Sequence, residues 1–363
     1  MEIVIVGAGP IGCYAGYLLA QSGHTVSIYD KKKEIGLPIQ CTGILTSDFD
    51  KFSISLDSCL VNTIRRIETF SPDNIKIGIQ QKDYIVCRKK FDTLIADTAA
   101  RAGAKIFLNH SFIRKDGNSL VIVNHKNNNA EKKVHGDIII AADGPLSPVG
   151  KAYGLFHSSR KYYYGIQAIV EGEFDKSVTK TYFGKNTCPG FFAWVVPESS
   201  TKARVGLYTT QNPKQHFDTF MSKNGFKAQE IQAGTIPIFN LHQRLKKDNC
   251  YVVGDASGYV KATTGGGIVP GMKQVQILVD CINNNKIFEK EILPLRKRMK
   301  LHLQISNIMK NFSDKDWNRL FCYVSQPKVK KVFEKYSRDN PIPLVINSLL
   351  KEPRLLYFVK YLF

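Results

Sequence analysis

Three glycines near the N-terminus have the spacing of a phosphate-binding turn. Gly7, Gly9 and Gly12 directly follow an apolar run at residues 2–6 and open a predicted helix over residues 10–21. In such a turn the first glycine permits a tight bend, the second lets the backbone approach a pyrophosphate, and the third lets the helix pack on the strand. The helix N-terminus adds N–H groups and the positive end of its dipole. This chemistry is typical of dinucleotide binding.

An acidic residue closes the second strand of the same unit. Residues 25–29 predict a strand, and Asp30 ends it. A carboxylate at this point accepts hydrogen bonds from a ribose. We expect Pro10, at the start of the helix, and Lys31, next to Asp30, to lie beside the same ligand. Glycines in this spacing are weak evidence by themselves, but the strand, turn, helix, strand and acid in register predict a β-α-β nucleotide-binding unit.

Two later turns decide which dinucleotide is bound. A predicted buried strand at residues 137–142 runs into Asp143, and another at residues 251–253 ends in Gly254 and Asp255. An enzyme that binds only NAD has no need of the second turn, whereas the ribityl chain of FAD needs a carboxylate for its hydroxyls. The turn at Asp143 alone could be an ordinary one. Together the motifs predict FAD, held noncovalently because no His or Tyr stands in a context that demands a flavin bond.

A glycine triplet opens the next helix. Gly265, Gly266 and Gly267 precede Ile268, which starts a predicted helix reaching about Asn283. Such a turn lets a helix N-terminus face the pyrimidine edge of the flavin, where reduction builds negative charge. We therefore expect these residues to bind the cofactor too.

The strands and helices that position these turns predict a fold of the α/β class, with an α+β arrangement for the chain as a whole. Residues 1–155 and 241–285 form a Rossmann-like FAD-binding domain in two pieces. Residues 156–240 read as short aromatic and β-branched strands between Gly, Pro and Ser turns, which predicts an inserted antiparallel β-sheet substrate domain. Residues 286–363 predict a helical, basic C-terminal region. Its helices either cap the pocket or dock on an anionic membrane surface.

Composition bounds the partners and the location. The 363 residues carry a formal charge of +20, but no nucleic-acid-binding motif is present, so we expect no nucleic-acid partner. The charge reflects either a Lys and Asn bias or an anion-binding face. The eight cysteines form no C-x-x-C pair and have no His cluster beside them, which predicts reduced thiols and no metal. With a motif at residue 7 and no long apolar run, we expect a cytoplasmic protein, at most peripheral on the membrane.

The chain resembles the geranylgeranyl reductase family of FAD-dependent oxidoreductases with the hydroxylase-like fold. The resemblance covers roughly residues 1–285. It rests on the cofactor turns together with residues 38–43, 87–92 and 190–197. It implies an enzyme that uses reduced FAD to saturate C=C bonds of geranylgeranyl chains, in membrane lipids or in chlorophyll and quinone precursors. The substrate would be an isoprenoid lipid, and the electron donor stays open among ferredoxin, NAD(P)H and reduced flavin.

The resemblance also implies roles for individual residues. Cys41 would lie over the flavin ring, where a thiol could protonate or steer the substrate, and Trp194 would shape the reacting pocket with it. Arg88, at the start of a helix, would reach the FAD. The substrate contacts would be those of Cys41, Gly43, Phe192, Trp194 and Pro197. Cys41 could instead be a small buried apolar residue, and Arg88 a solvated one.

Two positions depart from the family pattern of Tyr-x-Trp-x-Phe-Pro. Phe192 replaces the tyrosine, so a phenol is lost, and Val196 replaces an aromatic residue. These changes leave an apolar pocket of altered shape. Two other functions stay open from the sequence: an FAD-dependent monooxygenase of the aromatic hydroxylase type, and a non-catalytic flavin electron carrier.

Overall fold

The computed structural model of the protein describes residues 1–362. Phe363, the last residue of the predicted C-terminal region, lies outside the described residues. The strands, in chain order, are β1 (Glu2–Val6), β2 (Thr25–Asp30), β3 (Ile44–Thr46), β4 (Leu60–Phe70), β5 (Lys76–Val86), β6 (Lys105–Leu108), β7 (His110–Asp116), β8 (Ser119–Asn124), β9 (Ala130–His135), β10 (Ile138–Ala141), β11 (Tyr162–Glu171), β12 (Val178–Phe183), β13 (Phe192–Pro197), β14 (Lys202–Thr209), β15 (Ala228–Pro237), β16 (Lys246–Lys247) and β17 (Cys250–Val252).

The helices alternate with these strands in the first half of the chain and follow one another in the last quarter. In chain order they are α1 (Pro10–Gln21), α2 (Arg88–Arg101), α3 (Pro148–Ala152), α4 (Pro213–Lys223), α5 (Ile268–Asn283), α6 (Phe288–Glu291), α7 (Leu293–Lys310), α8 (Asp314–Val324), α9 (Pro327–Lys335) and α10 (Pro341–Lys351). Three 3₁₀ helices span Ser47–Phe52, Gly254–Ser257 and Pro353–Leu362.

A mainly parallel sheet carries the cofactor turns. Its strand order is β16-β17-β10-β1-β2-β6, and β1 pairs in parallel with both β2 and β10. Residues 3–6 of β1 and 139–141 of β10 are apolar and buried, as expected for a parallel sheet covered on both faces. α1 and α5 pack against each other, and α1 also packs against α2. This arrangement confirms the predicted Rossmann-like architecture.

A second, eight-stranded sheet has the order β15-β11-β14-β13-β12-β4-β5-β3. Its strands from residues 156–240 pair antiparallel, as the sequence predicts. The sheet also contains β3, β4 and β5, which the sequence placed with the FAD-binding domain, and β4 pairs in parallel with β12. Local patterning identified single strands within residues 156–240 but could not show the pairing of β12 with β4, because these two strands are more than 100 residues apart in the chain.

The C-terminal region is helical from α6 onwards, as predicted. Part of it covers the second sheet: the Tyr163 hydroxyl and Ser306 Oγ of α7 lie 3.0 Å apart, and the Phe183 ring lies 4.6 Å from that of Trp317 in α8. Phe183 is the register partner of Phe192. α7 and α8 therefore cap the aromatic end of this sheet, and the role of this region as a cap over the pocket stays a prediction.

Candidate active site

The cofactor turns meet at one edge of the parallel sheet. β17, β10 and β1 are adjacent and parallel, so the turns at Gly254, Asp143 and Gly7 all leave the sheet at its carboxyl edge. An ideal Cβ on Gly7 would lie 2.2 Å from the carbonyl oxygen of Ala142, and its φ is +110°. Only glycine fits there, so the first two turns are in direct contact.

Gly9 and Gly12 serve different purposes. A Cβ on Gly12 would lie 1.9 Å from the carbonyl oxygen of Gly7, so this glycine permits the helix to pack. A Cβ on Gly9 would meet no atom within 4 Å. The space beside Gly9, at the N-terminus of α1 and next to Pro10, is open on the side where a pyrophosphate would approach.

Asp30 supports the first turn directly. Its carboxylate accepts hydrogen bonds from the backbone N–H of Ala8 at 2.6 Å and of Lys32 at 2.8 Å, and only 7% of the residue is exposed. Each oxygen keeps a further lone pair with which it could accept from a ribose hydroxyl. Lys31 beside it is exposed. The predicted ribose contact therefore remains open to Asp30, together with a structural role that the sequence did not predict.

Asp143 has its carboxylate engaged within the chain. It accepts from the Ser147 hydroxyl at 2.6 Å and from the Val149 N–H at 2.9 Å, which fixes the start of α3. Burial raises its pKa, and these hydrogen bonds lower it again in part. Asp143 thus orders the second cofactor turn, and its predicted contact with FAD stays a prediction.

Asp255 has a different environment. Burial raises the pKa of its carboxyl, and the nearby cations Arg88 and Arg160 lower it. A Cβ on Gly267 would lie 2.9 Å from Asp255 Oδ1, so the carboxylate faces the N-terminus of α5. Asp255 and the partly exposed residues of the glycine turn therefore line one space.

Arg160 joins two of the turns, and sequence reasoning missed it. Its guanidinium donates to the carbonyl oxygens of Pro145 at 3.1 Å and Ala256 at 2.8 Å, and to Gln243 Oε1 at 2.7 Å. The side chain lies outside every motif, but a buried arginine that donates to main-chain carbonyls fixes the relative position of the segments that supply them.

Gln274 is a second residue that the motifs do not reveal. From the buried face of α5 its Oε1 accepts from the Gly254 N–H at 2.9 Å and the Ser257 hydroxyl at 3.0 Å. A polar residue among the apolar positions of this helix is the signal that could have identified it. It ties α5 to the third turn.

Arg88 connects the cofactor edge to Cys41. Its guanidinium binds the Asp92 carboxylate with two bonds of 3.0 Å on the first turn of α2. Burial lowers the pKa of Arg88, but Asp92 and the Cys41 sulfur raise it further, so the net shift is upward. The guanidinium is thus a permanent cation whose charge acts on both the Cys41 sulfur and Asp255.

The loop at residues 38–43 lies against the second sheet. Thr42 Oγ1 donates to Gln167 Oε1 of β11 at 2.7 Å, and Arg204 Nη1 of β14 donates to the Cys41 carbonyl oxygen at 2.8 Å. The Cys41 sulfur accepts from the Gly43 N–H at 3.4 Å. A Cβ on Gly43 would lie 2.4 Å from the Val86 carbonyl oxygen, so glycine is needed for the loop to approach β5.

Trp194 lies on the same face of the sheet as Gln167. A Cβ on Gly206 would lie 2.6 Å from Gln167 Cβ and 2.7 Å from Trp194 Cζ2, which shows that all three meet. Through Gln167, the structure brings the loop of Cys41 and the ring of Trp194 to one region. The Trp194 indole N–H has no hydrogen-bond partner among the described residues.

Tyr208 is the residue of this face that lies nearest to the glycine triplet. A Cβ on Gly265 would lie 3.0 Å from the Tyr208 hydroxyl oxygen. The side chain is 2% exposed, its hydroxyl has no partner within residues 1–362, and burial raises its pKa well above the usual value. Its ring lies 6.1 Å from that of Trp194. Tyr208 therefore contributes a buried phenol to this aromatic cluster. The cluster lacks the phenol of the family pattern at position 192, because Phe192 stands where that pattern has a tyrosine.

The remaining predicted substrate residues of β13, Phe192 and Pro197, lie on opposite faces of the strand. The Phe192 ring lies 6.4 Å from that of Trp194 and packs on Phe191 at 4.1 Å. Side chains alternate along a strand, so Pro197 points to the opposite face of β13 from Phe192 and Trp194. The structure brings Cys41, Gly43, Phe192 and Trp194 to one side of the second sheet and leaves Pro197 on the other.

The residues present fit an FAD. The open space at Gly9 suits a pyrophosphate, and the buried, unpartnered hydroxyl of Tyr208 and that of Thr264 lie in the region where the glycine triplet begins. Residues that would hold the cofactor lie in the three turns, beside them at Arg88, and at Gly265–Ile268.

The fold and these turns define an FAD-dependent oxidoreductase of the Rossmann-like class. An NAD(P)-binding Rossmann-like domain family matches residues 5–44, and an FAD-binding domain family matches residues 79–282. The chain is 30% identical to digeranylgeranylglycerophospholipid reductase of Methanocaldococcus jannaschii over 93% of this chain and 88% of that one. It is 32% identical to digeranylgeranylglycerophospholipid reductase 2 of Methanosphaera stadtmanae over 74% of each chain.

The chain belongs to the digeranylgeranylglycerophospholipid reductase family of FAD-binding proteins, which confirms the predicted resemblance. Among solved structures, a geranylgeranyl bacteriochlorophyll reductase-like protein from Thermoplasma acidophilum superposes with a TM-score of 0.87 at 22% identity and covers 100% of this chain and 99% of that one. That likeness shows that the two proteins share their fold.

None of the helices within residues 1–362 combines the length and the apolar character needed to cross a bilayer. The same residues contain no group of three or more His, Cys, Asp and Glu side chains placed to hold a metal ion.

Proposed function

We propose that this protein reduces C=C bonds in the geranylgeranyl chains of a glycerophospholipid precursor. The observation that carries the proposal is the meeting of the cofactor turns, the loop of Cys41 and the aromatic face of Trp194 in a chain of this family. Bound reduced FAD would supply a hydride to one carbon of the double bond, and the other carbon needs a proton.

The chain's own residues supply the rest. Cys41 is the proposed proton donor or steering group, since its thiol lies in the loop between the cofactor edge and the second sheet. Trp194 and Phe192 provide an apolar wall that suits an isoprenoid chain, and the cap formed by α7 and α8 excludes water from that end. Arg88 supplies a fixed positive charge beside the thiol.

The proposal also covers the cofactor bond, the electron donor and the location of the protein. FAD is bound noncovalently, the electron donor is ferredoxin, NAD(P)H or free reduced flavin, and the protein works in the cytoplasm or on the cytoplasmic face of the membrane. Contact with an anionic membrane is favoured by the charge of +20.

Mass spectrometry of the lipid tests the reaction. Dithionite-reduced, FAD-loaded protein should increase the mass of a digeranylgeranyl glycerophospholipid by two hydrogen atoms for each bond reduced. Protein without FAD, incubated in the same way, is the control. A lipid whose mass is unchanged after incubation with the reduced, FAD-loaded protein would contradict the proposal. Oxygen uptake with an aromatic substrate would indicate the monooxygenase, and electron transfer to a partner without lipid change would indicate the carrier.

A further inference from the structure

The last two elements of the chain expose apolar side chains in regular rows. On α10, Ile342, Ile346 and Leu350 recur every four residues, and Ile346 and Leu350 are 52% and 73% exposed. Residues spaced by four lie one above the other on an α-helix. The row therefore forms one stripe along α10, facing away from the packed side that includes Ser348.

The C-terminal 3₁₀ helix continues this pattern with its own period. Residues three apart are aligned in a 3₁₀ helix. The row Leu355, Phe358 and Tyr361 packs into the core of the C-terminal region. The next row, formed by Leu356, Val359 and Leu362, is exposed, and Leu356 is 56% exposed.

α10 and this 3₁₀ helix pack against each other, so the two exposed rows belong to neighbouring elements. We call them together the C-terminal apolar face. It consists of Ile342, Ile346, Leu350, Leu356, Val359 and Leu362. Isolated exposed apolar residues are ordinary, but regular rows on adjacent helices indicate an interaction surface.

The charged residues around the C-terminal apolar face are mostly cations, which indicates an anionic partner. Residues 327–362 contain eight Lys and Arg residues and three acidic ones. Each acid already has a partner within the chain: Glu334 accepts from the Gln80 N–H at 3.3 Å, Asp339 binds Lys261, and Glu352 binds Arg354 at 2.7 Å. The exposed cations of this segment are Lys328, Lys331, Lys335, Lys351, Arg354 and Lys360, of which Arg354 pairs with Glu352.

We propose that the C-terminal apolar face docks on an anionic lipid bilayer. The apolar rows enter the boundary between headgroups and acyl chains, and the surrounding lysines remain at the level of the anionic headgroups. An anionic bilayer offers an apolar layer for the two rows and a plane of negative charge for the surrounding lysines. The choice of a lipid partner rests on the proposed function, since an isoprenoid lipid substrate resides in such a layer.

Vesicle flotation with FAD-loaded full-length protein tests this inference. The protein should float with phosphatidylglycerol vesicles and bind phosphatidylcholine vesicles much less, and raising the salt from about 0.1 M to about 1 M should weaken binding because the Debye length shortens. Ile346→Glu and Leu350→Glu should each lower the partition coefficient by about tenfold or more. Ile113→Glu is the matched control, because Ile113 is 48% exposed on β7, outside this face.

Three outcomes would overturn the proposal. One is that wild-type protein fails to bind phosphatidylglycerol vesicles. Another is that the two variants bind as wild type does, or that Ile113→Glu loses binding equally. The third is that wild type is a dimer which Leu350→Glu converts to a monomer in analytical ultracentrifugation, since a second copy would then cover the face.

The test is separable from the proposed reaction. Reduction of detergent-solubilised substrate should be the same in wild type and Leu350→Glu, because Leu350 is 73% exposed on α10, which packs mainly on α7, α9 and the C-terminal 3₁₀ helix. Loss of flotation with that activity intact supports docking. Absence of the activity in wild type would contradict the proposed function and leave the flotation result to stand independently.

Discussion

Lys261 of the cofactor loop and Asp339 of the C-terminal region form a buried ion pair, with 5% and 2% of their side chains exposed. Lys261 also lies beneath the glycine triplet, since a Cβ on Gly266 would meet its Nζ at 3.2 Å. Asp339 accepts a second bond from Thr46. The segment between α9 and α10 is therefore joined directly to the turn expected to face the flavin.

Asp339→Asn should destabilise the protein and weaken FAD binding, because it leaves the Lys261 cation buried without its counter-ion. Breaking such a pair costs about 3–5 kcal/mol. Thermal unfolding and FAD titration would measure both effects. Lys261→Met with Asp339→Leu removes both charges and should recover much of the lost stability. Equal stability of Asp339→Asn and wild type would contradict the structural role of this pair.

Acid should also act on this region through His302. Burial, together with the positive charge of Lys261, lowers the pKa of His302 to about 3, although Asp339 opposes the shift. The unfolded chain takes up this proton near pH 6.5, so the stability is fully present above that pH and declines as the pH falls toward 3.

We expect His302→Gln to flatten this decline. Wild type should lose stability between about pH 6.5 and about pH 4.5 by up to about 1.4 kcal/mol per pH unit more than the variant does. Denaturant unfolding at a series of pH values measures the difference. Parallel stability curves for the two proteins would show that His302 protonates normally in the folded state.

Gly9→Val should abolish FAD retention while leaving the fold intact. The structure has no atom within 4 Å of the Cβ position at Gly9, so the side chain would enter only the space left for the pyrophosphate. Gly12→Val is the contrasting variant: its Cβ would clash with the Gly7 carbonyl at 1.9 Å and should prevent folding. Absorbance of bound flavin and circular dichroism separate the two effects. Retained flavin in Gly9→Val would show that this turn binds another ligand.

The sequence predicted the elements that are coded locally. The β-α-β unit, the glycine turns and α5 all follow from spacing within about 30 residues, and their positions agree with the structure. Arg160 could not be predicted as a site residue, because its role depends on carbonyl groups brought near by the fold. For Gln274 the only signal was a polar side chain among the apolar positions of α5, and its partners Gly254 and Ser257 are likewise supplied by the fold. The place of β4 in the second sheet was hidden for the same reason.

The direction of side chains also limited the prediction of the site from the sequence. Pro197 shares a motif with Trp194, but alternation along β13 turns the two to opposite faces. Tyr208 shares no motif with them, yet its ring lies 6.1 Å from that of Trp194, because β13 and β14 are paired in the sheet. A family motif identifies a strand, and only the pairing shows which neighbours complete its surface.

Cys41→Ser should fold and keep FAD but slow alkene reduction by about 10²–10⁴-fold, because a hydroxyl is a much weaker acid than a thiol. Cys322→Ser is the matched control, since Cys322 is an exposed cysteine on α8. In wild type, bound isoprenoid should protect Cys41 from alkylation and leave Cys322 reactive. Wild-type rate and product pattern in Cys41→Ser would make the thiol structural and point to bound water as the proton source.

Tyr208→Phe should weaken FAD binding without lowering the stability of the cofactor-free protein. The buried hydroxyl has no partner within residues 1–362 and lies 3.0 Å from the Cβ position at Gly265, so a ligand at that turn is what would satisfy it. Removing an unsatisfied buried group costs the cofactor-free fold nothing, whereas a lost hydrogen bond to the ligand costs about 1 kcal/mol, or roughly fivefold in Kd. Tyr163→Phe is the matched control: its hydroxyl pairs with Ser306, so stability should fall while FAD affinity holds. Flavin fluorescence titration gives the Kd, and an unchanged Kd with reduced stability in Tyr208→Phe would place the hydroxyl in the protein's own packing instead of at the cofactor.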